Sequence, residues 1–388
     1  MKFSLLSVIF LLLSNTTFSQ LEWESVKSLQ GGYSGGLNRS GFKKVDNDIY
    51  AFGTNYTYRT TNKGETWEIA FDGKIKGTLD ITKTNKSLFC ITKGLGTNNI
   101  LRSTDNGKTW FIPSLNGLPG NEGNGGGDGK GKNRAFCAIE AVGDNLFVMF
   151  INGLYGYGYN VFYFSTDEGE TWNQAFYLDG DYSSMCNEHD YVGRAYMKSY
   201  KNDIIWGDGA KLCRWNLDPS NPRTEYKIPM AMYRTKPVIT NSSILVVNTN
   251  ANNHLMYREI DDSLEMRKIL PNGYDNYWGL NLSNEGDEVI FRLLDFKTKN
   301  IASLISKDGG KSWEELACVG LPRTAAEFPI FKCDSNIYIC PSYNGIYRSI
   351  DGMKTFKLAN NGFNAIGTDA GFAAVSYTHL TLPTNREV

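Results

Sequence analysis

The densest set of titratable side chains in the sequence is Asp179–Arg194, which contains Cys186-Asn-Glu188-His189-Asp190-Tyr191. Glu188, His189 and Asp190 are residue types that move protons near neutral pH, so they are the candidates for general acid–base catalysis. The competing reading is a solvated loop. A second set is Tyr155, Tyr157 and Tyr159 within Asn152–Asn160, alternating with glycine. Each Tyr offers a flat apolar face and a polar tip, which suits a sugar ring. A Tyr-rich hairpin packed on its neighbours would read the same way. Asp275, Tyr277 and Trp278 form a third set, read as lying in another loop; Arg194, Asp275 and Trp278 join the tyrosines as ligand-binding candidates. With three histidines and no Cys-x-x-Cys spacing, no metal site is expected. The Gly-rich run Gly117–Lys132 has neither a following helix nor a Gly-Lys-Ser/Thr ending, so it reads as a surface loop and not a phosphate cradle. No cofactor is expected.

The elements that must position these loops are set by a repeat. The octets are Thr60-Thr-Asn-Lys-Gly-Glu-Thr-Trp67, Ser103-Thr-Asp-Asn-Gly-Lys-Thr-Trp110, Ser165-Thr-Asp-Glu-Gly-Glu-Thr-Trp172, Ser306-Lys-Asp-Gly-Gly-Lys-Ser-Trp313 and a weaker Ser349-Ile-Asp-Gly-Met-Lys-Thr-Phe356. In each, the acid can accept hydrogen bonds from free N–H groups of a hairpin turn. Asp105, Asp167, Asp308 and Asp351 hold that position, and Asn62 fills it with an amide oxygen. Glycine at the fifth position supplies positive φ. Met353 stands there in the last copy, so that turn is expected to be distorted. Trp67, Trp110, Trp172 and Trp313 begin the next strand, where a large ring can pack between sheets.

These octets resemble the Asp-box, or BNR, repeats of sialidase-like secreted β-propellers. The resemblance implies that the acids are structural and lie in the turn between third and fourth strands, opposite the binding face. Residues preceding successive octets are 43, 62, 141 and 43 positions apart. Two octet-free phrases, Leu212-Cys-Arg214 and Met256-Tyr-Arg258, divide the 141 into 50, 44 and 47. The fold class is therefore all-β: a propeller of seven four-stranded blades, with six or eight as alternatives. In blade one the strands are expected at Gly41–Lys44, Asp48–Phe52, Tyr56–Thr60 and Thr66–Phe71. The phrase Leu21–Val26 resembles a fourth strand and is expected to pair into the closing blade.

The sialidase likeness stops at the repeats. Those enzymes also carry an Arg-Ile-Pro phrase and an arginine triad that holds a carboxylate; this chain has Asn38-Arg39-Ser40 in that region and no Arg-Ile-Pro. Sialidase catalysis is therefore not carried over.

Residues 1–19 read as a signal peptide: Lys2, an apolar Leu5–Leu13, then small residues before Gln20. The propeller is placed at 20–375. Gly362–Val375 reads as the start of another strand pair. Residues 376–388 fit no repeat and resemble a translated adapter sequence, so the native chain is expected to continue, through an eighth blade or a C-terminal sorting domain. Seven cysteines, several in apolar strand text, read mainly as buried hydrophobes, with one pair among Cys318, Cys333 and Cys340 left open as a disulfide. The formal charge of −1 gives no basic field for nucleic acid, and no membrane insertion is expected. The reading favoured is an exported, non-catalytic module that binds a glycan or protein through the loops opposite the octets. The alternative is a glycoside hydrolase whose paired carboxylates have no recognisable spacing.

Overall fold

In the computed structural model, residues 42–362 are described except 53–56, 72–77, 94–97, 119–132, 155–156, 179–195, 208–210, 216–223, 228–236, 249–253, 262–265, 270–272, 326–327 and 343–344. Blade one is β1 (Phe42–Val45), β2 (Asp48–Phe52), β3 (Thr57–Thr60) and β4 (Glu68–Ile69); blade two is β5 (Thr78–Lys83), β6 (Leu88–Lys93) and β7 (Asn98–Ser103). Blade three is β8 (Asn133–Val142), β9 (Asn145–Leu154), β10 (Tyr157–Ser165) and β11 (Asn173–Leu178). Blade four is β12 (Tyr196–Tyr200), β13 (Asp203–Gly207), β14 (Lys211–Trp215) and β15 (Thr224–Lys227). Blade five is β16 (Val238–Ile239), β17 (Ser243–Asn248), β18 (His254–Glu259) and β19 (Arg267–Ile269). Blade six is β20 (Tyr277–Glu285), β21 (Glu288–Asp295), β22 (Ile301–Ser306) and β23 (Glu314–Leu316). Blade seven is β24 (Phe331–Asp334), β25 (Ile337–Ser342), β26 (Gly345–Ser349) and β27 (Lys357–Leu358). Strands pair in sequence order within every sheet. In blade two the fourth place is held by a bridge between Arg102 and Phe111. The octet-free blades at Arg214 and Arg258 are both present.

Each blade's second strand is a short apolar run, as in Ile49-Tyr50-Ala51-Phe52 or Leu245-Val246-Val247, because both faces of that strand are covered by neighbouring blades. Among the described residues the core is correspondingly divided into seven clusters, one at each blade interface. One cluster joins Phe42, Ile49, Tyr58 and Trp67 of blade one to Cys333, Ile339 and Ile346 of blade seven, which closes the ring.

Arginines reinforce several of these interfaces. Arg59 holds Asp48 in its own blade and reaches the Asn106 carbonyl of the next (3.4 Å). Arg102 binds Glu170 (2.9 Å), Arg214 binds Asp261 (2.9 Å), and Arg348 donates to the Lys63 carbonyl (2.9 Å), the last from blade seven to blade one. At the same seam the Trp67 amide donates to the Asn361 carbonyl (2.9 Å). The chain makes the same crossing from blade two to three, where the Trp172 amide donates to Asn116, and from six to seven, where Phe356 donates to Val319. The fourth position of blade seven is filled by its own Lys357–Leu358; Leu21–Val26, residues 1–19 and residues 363–388, with the strand pair expected there, lie outside the described residues.

The fifth octet departs from expectation. Met353 adopts φ 69°, and its turn keeps the hydrogen bonds of the others: Met353 N–H to Ser349 Oγ (3.0 Å), Thr355 N–H to Asp351 Oδ1 (2.9 Å) and Thr355 hydroxyl to Asp351 Oδ2 (2.6 Å). The turn is intact, not distorted. The thioether chain, 1% exposed, packs with Phe356 and Tyr338, which offsets the left-handed backbone. Met353→Gly is expected to lose about 1–2 kcal/mol, since lost packing outweighs relief of strain; chemical denaturation measures it, and a stabilised variant would contradict this balance. Cys90, Cys213, Cys318, Cys333 and Cys340 are free thiols, all but Cys318 buried; no disulfide pairs them.

Candidate functional site

The strand directions give the ring two unlike faces. The first-to-second and third-to-fourth connections, with the octets, lie on one face. The second-to-third and inter-blade connections lie on the other, here called the loop face.

On the octet face the turn chemistry is local. Asp105 Oδ1 accepts the Thr109 amide (2.9 Å), the Lys108 amide (3.0 Å) and the Ser103 hydroxyl (2.8 Å), and Oδ2 accepts the Thr109 hydroxyl (2.6 Å). Asp167 and Asp308 bind in the same pattern to Thr171 and Ser312. Asn62 accepts the Thr66 amide (2.9 Å) but donates from its own NH2 to the Thr66 hydroxyl (2.8 Å), reversing that one bond. Trp110, Trp172 and Trp313 each return an indole N–H to the glycine carbonyl of their octet (3.0–3.1 Å). Trp67 is buried against Phe42.

These bonds hold the acids ionised. The Thr109 hydroxyl, then the Thr109 amide and Ser103, bring Asp105 down to about 2; the Thr355 hydroxyl and amide do the same for Asp351. A carboxylate whose folded value lies below its unfolded value of about 4 stabilises the fold above that unfolded value, and this is lost as pH falls from about 4 toward 2. Asp105→Asn, which gives the second octet the amide that the first carries at Asn62, is therefore expected to narrow the stability difference between pH 6 and pH 2.5. An unchanged pH dependence in acid denaturation would count against it.

Around the axis, the innermost strands bring charges together near the octet-face end. Lys43 on β1 donates to Asp80 Oδ1 of β5 (2.8 Å), to Glu140 Oε2 of β8 (2.8 Å) and to the Ile139 carbonyl (3.3 Å). Glu140 in turn accepts the amide and hydroxyl of Ser199 on β12 (3.2 and 3.0 Å). Lys44 pairs with Glu285 of β20 (2.8 Å), and Lys198 reaches Asn284 (3.4 Å). Asn284 also donates to the Ile239 carbonyl of β16 (2.7 Å), and Ser283 to the Ile330 carbonyl beside β24. All seven blades thus meet in one polar belt. Burial alone would lower the Lys43 ammonium, but Asp80 and Glu140 raise it well above its ordinary value; burial lowers Lys198. No group of three metal-ligating side chains occurs among the described residues.

At the loop-face end of blade six the surface is different. Trp278, the second residue of β20, packs on Phe296 with centroids 4.6 Å apart and planes tilted by 32°; they are 40% and 50% exposed. Phe296 is carried by the hairpin Asp295–Asn300. Asp295 fixes that hairpin by accepting the Lys297 amide (2.8 Å), the Thr298 amide (3.3 Å) and the Thr298 hydroxyl (2.7 Å). Lys299 holds its ammonium 4.2 Å from the Phe296 ring centre. Asp275 is exposed in the turn before β20. Behind it, Tyr274 packs edge-on against Tyr277 and donates to Glu315 (2.7 Å). Burial and that carboxylate push Tyr274 up to about 12.

No family model matches this chain, and no curated protein matches it. Among solved structures it is similar to YCF48 bound to D1 peptide, at 16% identity, covering 78% of this chain and 88% of that one with a TM-score of 0.51. It is also similar to the GH74 xyloglucanase from Xanthomonas campestris, at 14% identity, 87% and 56% coverage and a TM-score of 0.51. The chain spans just over half the length of that xyloglucanase. At these identities the likeness establishes the fold, a seven-bladed propeller, and no activity.

Of the sequence-derived candidates, Tyr155, Glu188, His189, Asp190 and Arg194 lie outside the described residues. Tyr157 and Tyr159 belong to β10, opposite Leu154 and Asn152, at the loop-face end of blade three. Tyr277 and Trp278 are strand residues of β20 and not part of a loop, because they pair with Asp295 and Leu294 of β21. Sequence reasoning missed Phe296 and Lys299. The signal was available: an aromatic inside Asp295-Phe-Lys-Thr-Lys-Asn300, a turn whose other residues are all polar.

Proposed function

We propose that this chain is an exported propeller that binds a glycan or protein ligand at its loop face without catalysing a reaction on it. The observation that carries the reading is the exposed Trp278–Phe296 ring pair at the loop-face end of blade six, whose hairpin is tied by the Asp295 carboxylate. Exposed aromatics supply much contact area at little entropic cost, and binding surfaces are built on such groups. Residues 1–19, read as a leader, support export.

The hydrolase alternative needs two carboxylates able to act on a sugar bond. Among the described residues, the acids of the inner strands are engaged near the octet-face end: Asp80 and Glu140 share one lysine and spend further lone pairs on backbone and Ser199 donors, and Glu285 pairs with Lys44. Their arrangement supports binding over hydrolysis. A glycan and peptide array probed with the mature protein tests the proposal. Trp278→Ala and Phe296→Ala are expected to weaken the ligand found by about tenfold or more, a loss of about 1.4 kcal/mol, with the melting temperature unchanged. Release of reducing sugar from a bound glycan, or binding indifferent to both substitutions, would overturn it.

A further inference from the structure

The hairpin that carries Phe296 has every main-chain N–H already engaged. Asp295 N–H donates to the Asn300 carbonyl, Phe296 to Asn276, Lys297 and Thr298 to the Asp295 carboxylate, Lys299 to the Asp295 carbonyl and Asn300 to the Thr298 hydroxyl. Peptides are commonly held through main-chain bonds to an open strand edge or a nest of free amides. This hairpin offers neither. What it offers is ring face and side-chain tips.

The charges on the two segments that carry the rings, the turn before β20 and the Asp295–Asn300 hairpin, balance. Asp275 is exposed, as are the Lys297 and Lys299 side chains, while both Asp295 oxygens are bound within the turn. Two acids and two bases build no net field that would draw in a polyanion. Lys299 stands over Phe296, so the apolar face left for a ligand is that of Trp278.

On these grounds, and resting on the loop-face reading above, we infer that the blade-six site takes an uncharged, β-linked, gluco-configured oligosaccharide. Equatorial hydroxyls leave such a ring with flat C–H faces, one of which stacks on Trp278. Lys299 donates to ring hydroxyls, and Asp275 accepts from them, both at the edge of the stack. No bond is made or broken.

Calorimetric titration of the full chain with cellohexaose and with hexagalacturonate tests this, alongside Trp278→Ala and Lys299→Asn; asparagine suits the left-handed backbone of Lys299, φ 61°. Cellohexaose is expected to bind more tightly than hexagalacturonate. Trp278→Ala should weaken it about tenfold and Lys299→Asn about threefold, with melting temperatures within about a degree of the parent. Preference for hexagalacturonate, or no heat with cellohexaose, overturns the ligand class. The loop-face reading then survives only if Trp278→Ala still weakens whatever ligand the arrays reveal. Cellohexaose binding that both variants leave untouched overturns the two together.

Discussion

Gly362→Ala is expected to destabilise the protein by about 3 kcal/mol, lowering its melting temperature by about 4 °C in a ring of this size. Gly362 has φ 92°, and a Cβ built there would lie 1.8 Å from the Trp67 carbonyl oxygen, a main-chain atom that cannot swing aside. Accommodating it breaks the Trp67–Asn361 bond that holds blade seven to blade one. Gly117 and Gly320 make the same approach at two other seams, 2.1 Å from the Trp172 oxygen and 2.5 Å from the Phe356 oxygen. Gly143 is the control: φ is 60° but nothing lies within 4 Å, so alanine there costs only the backbone term, about 1 kcal/mol. Equal losses at Gly362 and Gly143 in denaturant titrations would mean that the seam does not hold the ring as assigned.

Lys43→Met should cost about 2–3 kcal/mol. It leaves Asp80 and Glu140 facing each other, partly buried, without the ammonium they share. Breaking a fully buried pair costs about 3–5 kcal/mol; the side chains here keep 24%, 17% and 11% of their exposure, so solvent screens part of that. Adding Glu140→Gln to Lys43→Met removes the repulsion and should recover about half the loss. A double variant no more stable than the single one would refute the belt as an electrostatic unit.

The parts of this structure that were legible in the sequence are those whose chemistry is local. Ser103, Asp105, Gly107 and Thr109 satisfy one another within a single turn, so the octet announces its hairpin, and its recurrence announces the ring. Even without octets, blades four and five could be placed from Arg214 and Arg258. The belt could not be read, because Lys43 meets partners 37 and 97 residues away, and only ring closure brings them together. The seam glycines recur in Asn116-Gly117-Leu118, Val319-Gly320-Leu321 and Asn361-Gly362, but their partners are backbone atoms of another blade. Met353 misled for a related reason: the octet taken alone shows the strain of positive φ, and the Phe356–Tyr338 packing that offsets it comes from the assembled blade. At the candidate site, Trp278 and Asp275 were identified from type and spacing, while Phe296 reads as an ordinary turn residue until the β20–β21 pairing sets it against Trp278.

The most direct test of where this protein meets its ligand is hydrogen exchange with the bound glycan or protein at saturation. Protection is expected over 274–300, at the amides of the β20 entry and the Asp295 hairpin, with exchange unchanged in the octets 103–110 and 306–313. Protection confined to those octets, with 274–300 exchanging as in the free protein, would place the binding face on the wrong side of the ring.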